Sequence, residues 1–371
     1  MLSIDHRLLI WECVGGRYPV PAGFQNFETL RGRWWLFSGY TEAMLIVRAH
    51  SNIALIKYWG KRSEPLRLPC NGSLSLTLDK LYTDTSLNFV DGLRADTLTL
   101  NGALATDGIL ARVRRFMDLV RGRYGLSDYA AIESINHFPT GAGLASSASG
   151  FAALALAATA AAGLKLSATE LSILARLGSG SACRSIFAGF AEWLPGTAAD
   201  GSDSYAVTFE TDFAPSMAVL ILAPGPKPTS SGDGMARTVE TSPLYAGWQQ
   251  AVNADLKAIK LALAAQDLEA VGTIMERNAL TMHATALAAQ PAVLYWLPQT
   301  VALIHHVREL RAQGHPCWLT IDAGPNLKVL LPPLAETHAT ATLKALREHP
   351  AVQDLILCRP GPAAHVLAET P

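Results

Sequence analysis

An excess of charge of either sign is the first thing this sequence lacks. Lys and Arg total 30, Asp and Glu 31, and the formal net charge is -1. With no global basic field, a general nucleic-acid binder is excluded. A local phosphate site stays open. Charged residues make up only 16% of the chain against 50% hydrophobic, where soluble domains usually carry about 25% charged. Such a composition builds a large core and excludes a disordered chain. Cysteine is sparse: Cys13, Cys70, Cys183, Cys317 and Cys358 are odd in number and no two are close in sequence. Neither zinc spacing nor a disulfide framework is present, so a reducing compartment, the cytoplasm, is expected. The stretch MLSIDHRLLIWECVGG reads as a poor signal peptide, because Asp5, His6 and Glu12 interrupt it. Gly141 to Leu164 runs 24 residues without a charge, long enough to span a bilayer. It is mainly Ala, Gly and Ser, with Phe151 its one aromatic, so it reads as a buried helix and no membrane partner is expected.

At about 100–200 residues per domain, 371 residues allow two domains or one large one. Residues 1–44 stand apart, with Trp11, Trp34, Trp35 and Phe37 scattered among Gly and Arg at no sustained period. They read either as an accessory segment or, by preference, as an over-extended start with Met44 the natural initiator. From residue 45 strands dominate, starting with 45–49. Residues 73–78 alternate apolar and polar as a half-buried strand does, and 83–90 and 97–100 follow, with Asn101-Gly102 as a turn. Helices are expected over 104–124, about 145–162, and 169–177 with Ser167 as cap. Strands are expected at 130–135, 191–194, 205–209 and 217–223. Residues 224–234, rich in Pro, Gly and Ser, read as a loop near a domain boundary. Helices at 242–264, 267–288, 299–313 and 335–347 alternate with strands at 318–321, 327–331 and 353–358. The fold class is α+β.

Four stretches could carry chemistry. In Pro139-Thr140-Gly141-Ala142-Gly143-Leu144-Ala145-Ser146-Ser147, a glycine turn leads into a helix. Free N–H groups and the positive end of the helix dipole would then face a ligand, as in a phosphate cradle. It is not a Walker loop, since no Gly-Lys-Ser/Thr follows. Gly178-Ser179-Gly180-Ser181-Ala182-Cys183-Arg184 ends in a guanidinium that fits carboxylate or phosphate in two-point contact. Asn52-Ile53-Ala54-Leu55-Ile56-Lys57-Tyr58-Trp59-Gly60-Lys61-Arg62 sets three cations around an aromatic pair, which suggests an anion site with an aromatic wall. Asp322, at the end of an apolar strand before Ala323-Gly324-Pro325-Asn326, stands where active-site carboxylates often stand. Each stretch also has a plainer reading, as a tight turn, a solvated basic turn or a turn Asp. Asn278 and His283 share one predicted helix, where a lone His is usually structural.

Together the four stretches, with Leu68 to Leu78 and Gly232 to Pro243, resemble the mevalonate diphosphate decarboxylases, a branch of the GHMP kinase superfamily. The resemblance covers roughly residues 45–335. Lys-Tyr-Trp-Gly-Lys and Gly-Ser-Gly-Ser-Ala-Cys-Arg are specific to this branch, and the Pro-x-Gly-x-Gly-Leu-x-Ser-Ser loop is shared across the superfamily. The resemblance implies a two-domain GHMP-kinase-like fold, with a ribosomal-protein-S5-domain-2-like N-terminal domain over 45–215 and a ferredoxin-like C-terminal domain over 216–371. The active site would lie in the cleft between them. It implies ATP and Mg²⁺, a phosphorylated mevalonate as substrate, and a homodimer.

In the reaction so implied, the 3-hydroxyl of mevalonate 5-diphosphate takes the γ-phosphoryl group, then phosphate and CO₂ leave together and isopentenyl diphosphate remains. Asp322 matches the catalytic Asp and Lys57 the lysine that holds it ionised. Arg184 matches the arginine on the substrate carboxylate. Tyr58, Lys61, Ser179 and Ser181 match positions that hold the substrate's phosphates, and Met235 falls in a matched substrate-binding stretch. Gly141, Gly143, Ser146 and Ser147 match the ATP-phosphate loop. No metal ligand is assigned. One position departs: Thr97 stands where many relatives carry an Arg on the 5-diphosphate. Mevalonate 5-phosphate is therefore an alternative substrate. A mevalonate 3-kinase that stops before decarboxylation, and a non-catalytic sensor on the same fold, are further alternatives, and both are disfavoured by the joint presence of Lys57, Arg184 and Asp322.

Overall fold

The computed structural model describes residues 45–105, 107–138, 146–222, 229–333 and 337–367. The first half runs β1 (Ile46–Ile56), β2 (Lys61–Ser63), β3 (Leu68–Pro69), β4 (Ser73–Val90), β5 (Thr97–Leu100), β6 (Ala103–Leu104), α1 (Asp107–Tyr124), β7 (Tyr129–Asn136), α2 (Ser146–Ala161) and α3 (Ala168–Gly178). A 3₁₀ helix (Gly180–Ile186), β8 (Phe190–Trp193) and β9 (Ala206–Thr208) follow. The second half runs β10 (Ser216–Ile221), α4 (Ser231–Thr241), α5 (Tyr245–Ala264), α6 (Leu268–Leu287), α7 (Pro298–Ala312), β11 (Trp318–Ile321), β12 (Leu327–Leu331), α8 (Thr337–Glu348), β13 (Asp354–Cys358) and β14 (His365–Leu367).

Two sheets carry the fold. The larger has the order β14-β1-β4-β7-β5-β6, with β8 and β9 added along the first half of β4. The stretches expected as two strands, 73–78 and 83–90, are one 18-residue strand. Its first half pairs with β8 and its second with β7, while β1 runs along most of its other edge. Among the described strands only β5 lies parallel to a neighbour, β7, and α1 makes part of the crossover. Asn101 and Gly102, both at positive φ, close the tight turn from β5 to β6. The helix expected from 104 therefore starts three residues later. The smaller sheet is antiparallel with order β11-β12-β10-β13. Its connections alternate as in the βαββαβ pattern of ferredoxin-like domains, as the resemblance implies.

The Ala-rich stretch forms the buried helix α2. Ala148, Ala152, Ala153, Ala155, Ala157 and Ala158 have no exposed surface, and such small side chains let the helix lie close on the sheet. Among the described residues no helix is long and apolar enough to cross a membrane. Ser167 caps α3 as expected. Its hydroxyl accepts from Glu170 N–H at 3.3 Å, and the Glu170 carboxylate accepts from Ser167 N–H at 2.8 Å. The loop expected through 234 is corrected, because α4 starts at Ser231 with Ser230 as its cap. Gly232 and Gly234 read as loop residues in sequence. Packing overrides them, with the Tyr295 hydroxyl donating to the Ser230 carbonyl at 3.1 Å. Residues 223–228 of that stretch lie outside the described residues.

Among the described residues three large apolar clusters hold these layers, beside a small one of Cys183, Trp193 and Ala206. One lies between the larger sheet and α1–α3, and another between the smaller sheet and the elements α7 and α8. The third joins β1 and β4 to β10, β12, α5 and α6. It brings the end of β1 against the end of β11.

Candidate active site

Ser73, Ser75 and Thr77 make up the polar half of the alternation in β4. A half-buried strand would expose them, yet all three are fully buried. The reason is Arg184, which the 3₁₀ helix turns onto this face. Its Nη1 donates to Ser73 Oγ at 2.5 Å, and its Nε to Ser75 Oγ at 3.0 Å and Asn52 Oδ1 at 3.2 Å. Asn52 in turn donates to the Ser181 carbonyl at 3.0 Å and Ser185 Oγ at 2.8 Å. Arg184 is thus buried on neutral acceptors. Among the described residues no carboxylate pairs with it, and Nη2 makes no hydrogen bond. Burial lowers its proton affinity, but a guanidinium stays charged.

Lys57 sits just past β1. Its backbone is gripped from both sides: Asn278 Oδ1 accepts its N–H at 2.8 Å, and Asn71 Nδ2 donates to its carbonyl at 2.8 Å. Asn278 is held in turn by Asp255, 2.9 Å away. The Lys57 ammonium donates to the Ala54 carbonyl at 2.8 Å and to Asp322 Oδ1 at 2.7 Å. Asp322 follows β11, so the pair ties the two sheets together. The turn beyond Asp322 is pinned by Thr300, which donates to the Pro325 carbonyl, and by Asn326, which accepts from Leu222 N–H. A second ammonium, that of Lys328 on β12, lies 2.9 Å from Asp322 Oδ2.

Burial alone would raise the Asp322 carboxyl. Lys328 and Lys57 outweigh it and hold the group well below the usual carboxylate range. Lys57 is itself pulled down by burial, which Asp322 opposes. His283 lies behind the Asp322 turn, its Nε2 3.3 Å from the Ile321 carbonyl. Burial pushes it down to about 3, so it is neutral near pH 7 and structural, as a lone helix His usually is.

The remaining expected residues gather around these. Tyr58 lies against Trp193 with ring centroids 4.7 Å apart, and its buried hydroxyl has no hydrogen-bond partner among the described residues. Burial pushes the phenol up, so it stays a donor. Gly180 has to be glycine here, since a Cβ would stand 2.9 Å from that hydroxyl and 3.0 Å from the Trp193 ring. Ser179 Oγ donates to Ser147 Oγ at 3.2 Å, which joins the two small-residue turns into one surface. Ser146 and Ser147 open α2. Gly141 and Gly143 lie outside the described residues. Lys61 pairs with Glu64 at 2.6 Å, an i,i+3 contact in which Glu64 is exposed. Such pairs are worth about 0–1 kcal/mol, so an incoming phosphate could displace Glu64. Gly60, at φ +111, lets the chain turn under Tyr245, whose hydroxyl donates to the Trp59 carbonyl at 2.9 Å. Met235 is buried on α4 within the joining cluster, so it can offer only an apolar wall. Thr97 is exposed on β5 and supplies no cation. Lys328, Asn278, Asn71 and Asn52 were not expected as site residues. A lysine inside Leu327-Lys328-Val329-Leu330-Leu331 was the one visible signal.

Three buried cations therefore face one carboxylate, beside a hydroxyl-rich helix start. This defines a site for a multiply anionic substrate, of the kind that phosphoryl-transfer enzymes build. Comparison with known proteins agrees. The family model of the diphosphomevalonate decarboxylase-like N-terminal domain matches residues 49–206, and that of the mevalonate 5-diphosphate decarboxylase C-terminal domain matches 217–357. The diphosphomevalonate decarboxylase of Ganoderma lucidum is 40% identical over 305 residues, 76% of each chain. The Homo sapiens protein of that name is 38% identical over 306 residues, again 76% of each. Among solved structures, mevalonate diphosphate decarboxylase from Staphylococcus aureus superposes with a TM-score of 0.82 at 39% identity, over 88% of this chain and 98% of that one. The Enterococcus faecalis enzyme gives 0.81 at 44% identity, over 88% and 99%. A further structure, of MDDEF, with TM-score 0.82 and 44% identity over 88% of this chain and 99% of that one, is a complex with MVAPP, AMPPCP and magnesium. The chain belongs to the diphosphomevalonate decarboxylase family, and its two-domain α+β fold is the fold of these structures.

Proposed function

We propose that this protein is an ATP-dependent decarboxylase that converts mevalonate 5-diphosphate to isopentenyl diphosphate, with release of ADP, phosphate and CO₂. The observation that carries the reading is the 2.7 Å Lys57–Asp322 pair, with Arg184 buried on neutral acceptors and meeting no carboxylate among the described residues. The 3-hydroxyl of the substrate donates a hydrogen bond to Asp322 and attacks the γ-phosphorus. As that O–P bond forms, the bond to ADP breaks, ADP keeps the electron pair, and the hydroxyl proton passes to Asp322. Lys57 stabilises charge on the transferring group. Arg184 orients the substrate carboxylate. The C1–C2 electrons then form the new double bond as CO₂ departs, and the 3-phosphate leaves with the C3–O pair. Tyr58, Lys61, Ser179 and Ser181 hold the 5-phosphates, and Met235 closes one wall. Gly141, Gly143, Ser146 and Ser147 take the ATP phosphates.

Magnesium fits this donor set. Among the described residues no three His, Cys, Asp or Glu side chains gather into a cage. An ion bound chiefly through nucleotide phosphates and water, with the Ser146 or Ser147 hydroxyl as its protein oxygen, matches such a surface. When bound it neutralises charge on the β- and γ-phosphates.

The reading assigns 45–215 to the ATP- and substrate-binding domain and 216–371 to the second domain, with the active site in the cleft between them. Residues 1–44 are an extension or a misassigned start. The protein acts as a homodimer in the cytoplasm. Cys70, Cys183, Cys317 and Cys358 are free thiols, as a reducing compartment keeps them, and the dimer rests on family likeness.

A second reading is favoured by Thr97. The neighbouring Asp96 is tied by Arg121 at 2.8 Å on each oxygen, and Thr97 itself brings no cation to a terminal phosphate. Mevalonate 5-phosphate would then be the substrate. Paired assays with Mg·ATP and either compound, following ADP and CO₂, test both. Turnover of the diphosphate is the expected result. Turnover of the monophosphate alone would transfer the assignment to phosphomevalonate decarboxylation. ADP without CO₂ would make it a 3-kinase.

A further inference from the structure

β12 holds a lysine where its strand pattern asks for an apolar side chain. All five of its positions are buried. Lys328 is paired across the sheet with Thr320 on β11 and Val219 on β10. It shares a sheet face with Val219 and Leu330, which belong to the cluster that joins β1 to the smaller sheet. Leu327 and Val329 belong to the cluster on the opposite face. An unpaired ammonium buried there would be several kcal/mol unfavourable, so lysine is found at such depth only with a partner. Its partner is the one carboxylate of the site. Nζ stands 2.9 Å from Asp322 Oδ2 and donates more loosely, at 3.4 Å, to the Asn326 carbonyl. Lys57 holds the other oxygen, Oδ1, at 2.7 Å. The lysine side chains are 1% and 3% exposed, whereas Asp322 is 23% exposed. The carboxylate thus meets an ammonium at each oxygen, by hydrogen bond at Oδ1 and by ion-pair contact at Oδ2, and keeps part of its surface exposed.

We propose that Lys328 is a positioning residue for phosphoryl transfer: with Lys57 it pins both oxygens of Asp322, so that the carboxylate meets the substrate hydroxyl in one fixed orientation. The inference rests on Asp322 being the group that meets that hydroxyl. The physical basis is rotational. The terminal torsion of an Asp side chain is broad and nearly two-fold, so one ion pair leaves the carboxylate free to swing or exchange its oxygens. A second pair, from a strand rigidly bonded on both sides, removes that freedom before the substrate arrives. It also weakens Asp322 as a base. Among the groups that face it, Lys57, Lys328 and Arg184 are cations and His283 is neutral. The carboxylate therefore accepts a hydrogen bond first. It takes the proton only as formation of the O–P bond, with departure of ADP and its electron pair, makes the hydroxyl acidic.

The test uses the full chain with Lys328→Met and Lys328→Arg. For Lys328→Met, kcat should fall about 10- to 100-fold, the scale of a misplaced reacting group. KM for ATP should stay within about twofold, since uniform binding is untouched. The acidic limb of the kcat profile should move to higher pH, and Lys328→Arg should recover part of the rate. A kcat within about threefold of the parent and an unmoved limb would overturn the proposal. The Asp322 carboxyl signal offers a measurement independent of the rate. With ¹³C-labelled Asp carboxyls, and Asp322→Asn for assignment, the Asp322 signal should remain that of a carboxylate well below pH 4. Titration at the ordinary value of about 3.9 would overturn the clamp. This readout requires no turnover. Repeated with Lys328→Met, where the signal should titrate at higher pH than in the parent and an unmoved signal would overturn the proposal, it decides on Lys328 even if the parent proves inactive on every phosphorylated mevalonate, the outcome that would instead remove the proposed function.

Discussion

Asp322→Asn takes one negative charge from between two buried ammonium groups and hardly changes shape. Lys57 and Lys328 stand 2.7 and 2.9 Å from its two oxygens. Removing one partner of a buried ion pair destabilises by about 3–5 kcal/mol. At about 2 cal/mol/K of unfolding entropy per residue, a chain of this size should lose roughly 4–7 °C in melting temperature at pH 7. The deficit should shrink as pH rises. In the parent, burial already lowers the Lys57 ammonium, and Asp322 opposes that. In the variant the folded Lys57 falls further, because the opposing Asp322 charge is gone, while the unfolded lysine stays near about 10.4. Between the folded and unfolded values the unfolded chain binds more protons, so stability rises with pH. Calorimetry of parent and variant at pH 7 and pH 9.5 reads this as a closing gap. Turnover at saturating substrates should fall by about 10²–10⁴, the usual contribution of a positioned base, with ATP still bound. Equal melting at both pH values would refute the buried triad, and a near-parental rate would refute Asp322 as the base.

Two further variants probe the supports. Asn278→Ala leaves the buried Lys57 N–H without its acceptor, and should lower stability by about 1–3 kcal/mol. It should also slow turnover by displacing the ammonium, and an unchanged denaturation midpoint and rate would show that Asn71 suffices to hold Lys57. Gly180→Ala sets a methyl 2.9 Å from the Tyr58 hydroxyl. Overpacking of this kind costs about 1–3 kcal/mol, so KM for the phosphorylated mevalonate should rise about tenfold with KM for ATP unchanged. Equal KM values would mean that Tyr58 does not touch the substrate.

Much of the site was legible in sequence because its chemistry sits in short runs whose wording is unusual. Lys57, Tyr58 and Lys61 come from one such run and Ser179, Ser181 and Arg184 from another. The capping box at Ser167 and the turn at Asn101-Gly102 are equally local, since both depend on residues no more than three apart. The misses have a common cause. α4 begins with two glycines, and only the Ser230 cap and the packing of Tyr295 make it a helix. Ser73 and Ser75 follow the alternation of a half-buried strand, but a guanidinium more than a hundred residues away fills the face that water would have taken. Asn52, Asn71 and Asn278 are uninformative letters alone, because an amide is defined by what lies opposite it.

The sequence by itself determined the strand and helix periods, the low charge, the two cation-bearing runs and the lone carboxylate before Gly-Pro-Asn. These are properties of neighbours along the chain. Only the tertiary structure decided which charges meet. It set Asp322, which follows one sheet, against Lys57, which ends a strand of the other, and it placed Lys328 on the second oxygen of the same carboxylate. Burial made those meetings obligatory, because an ammonium or guanidinium withdrawn from water persists only where a partner has been brought to it.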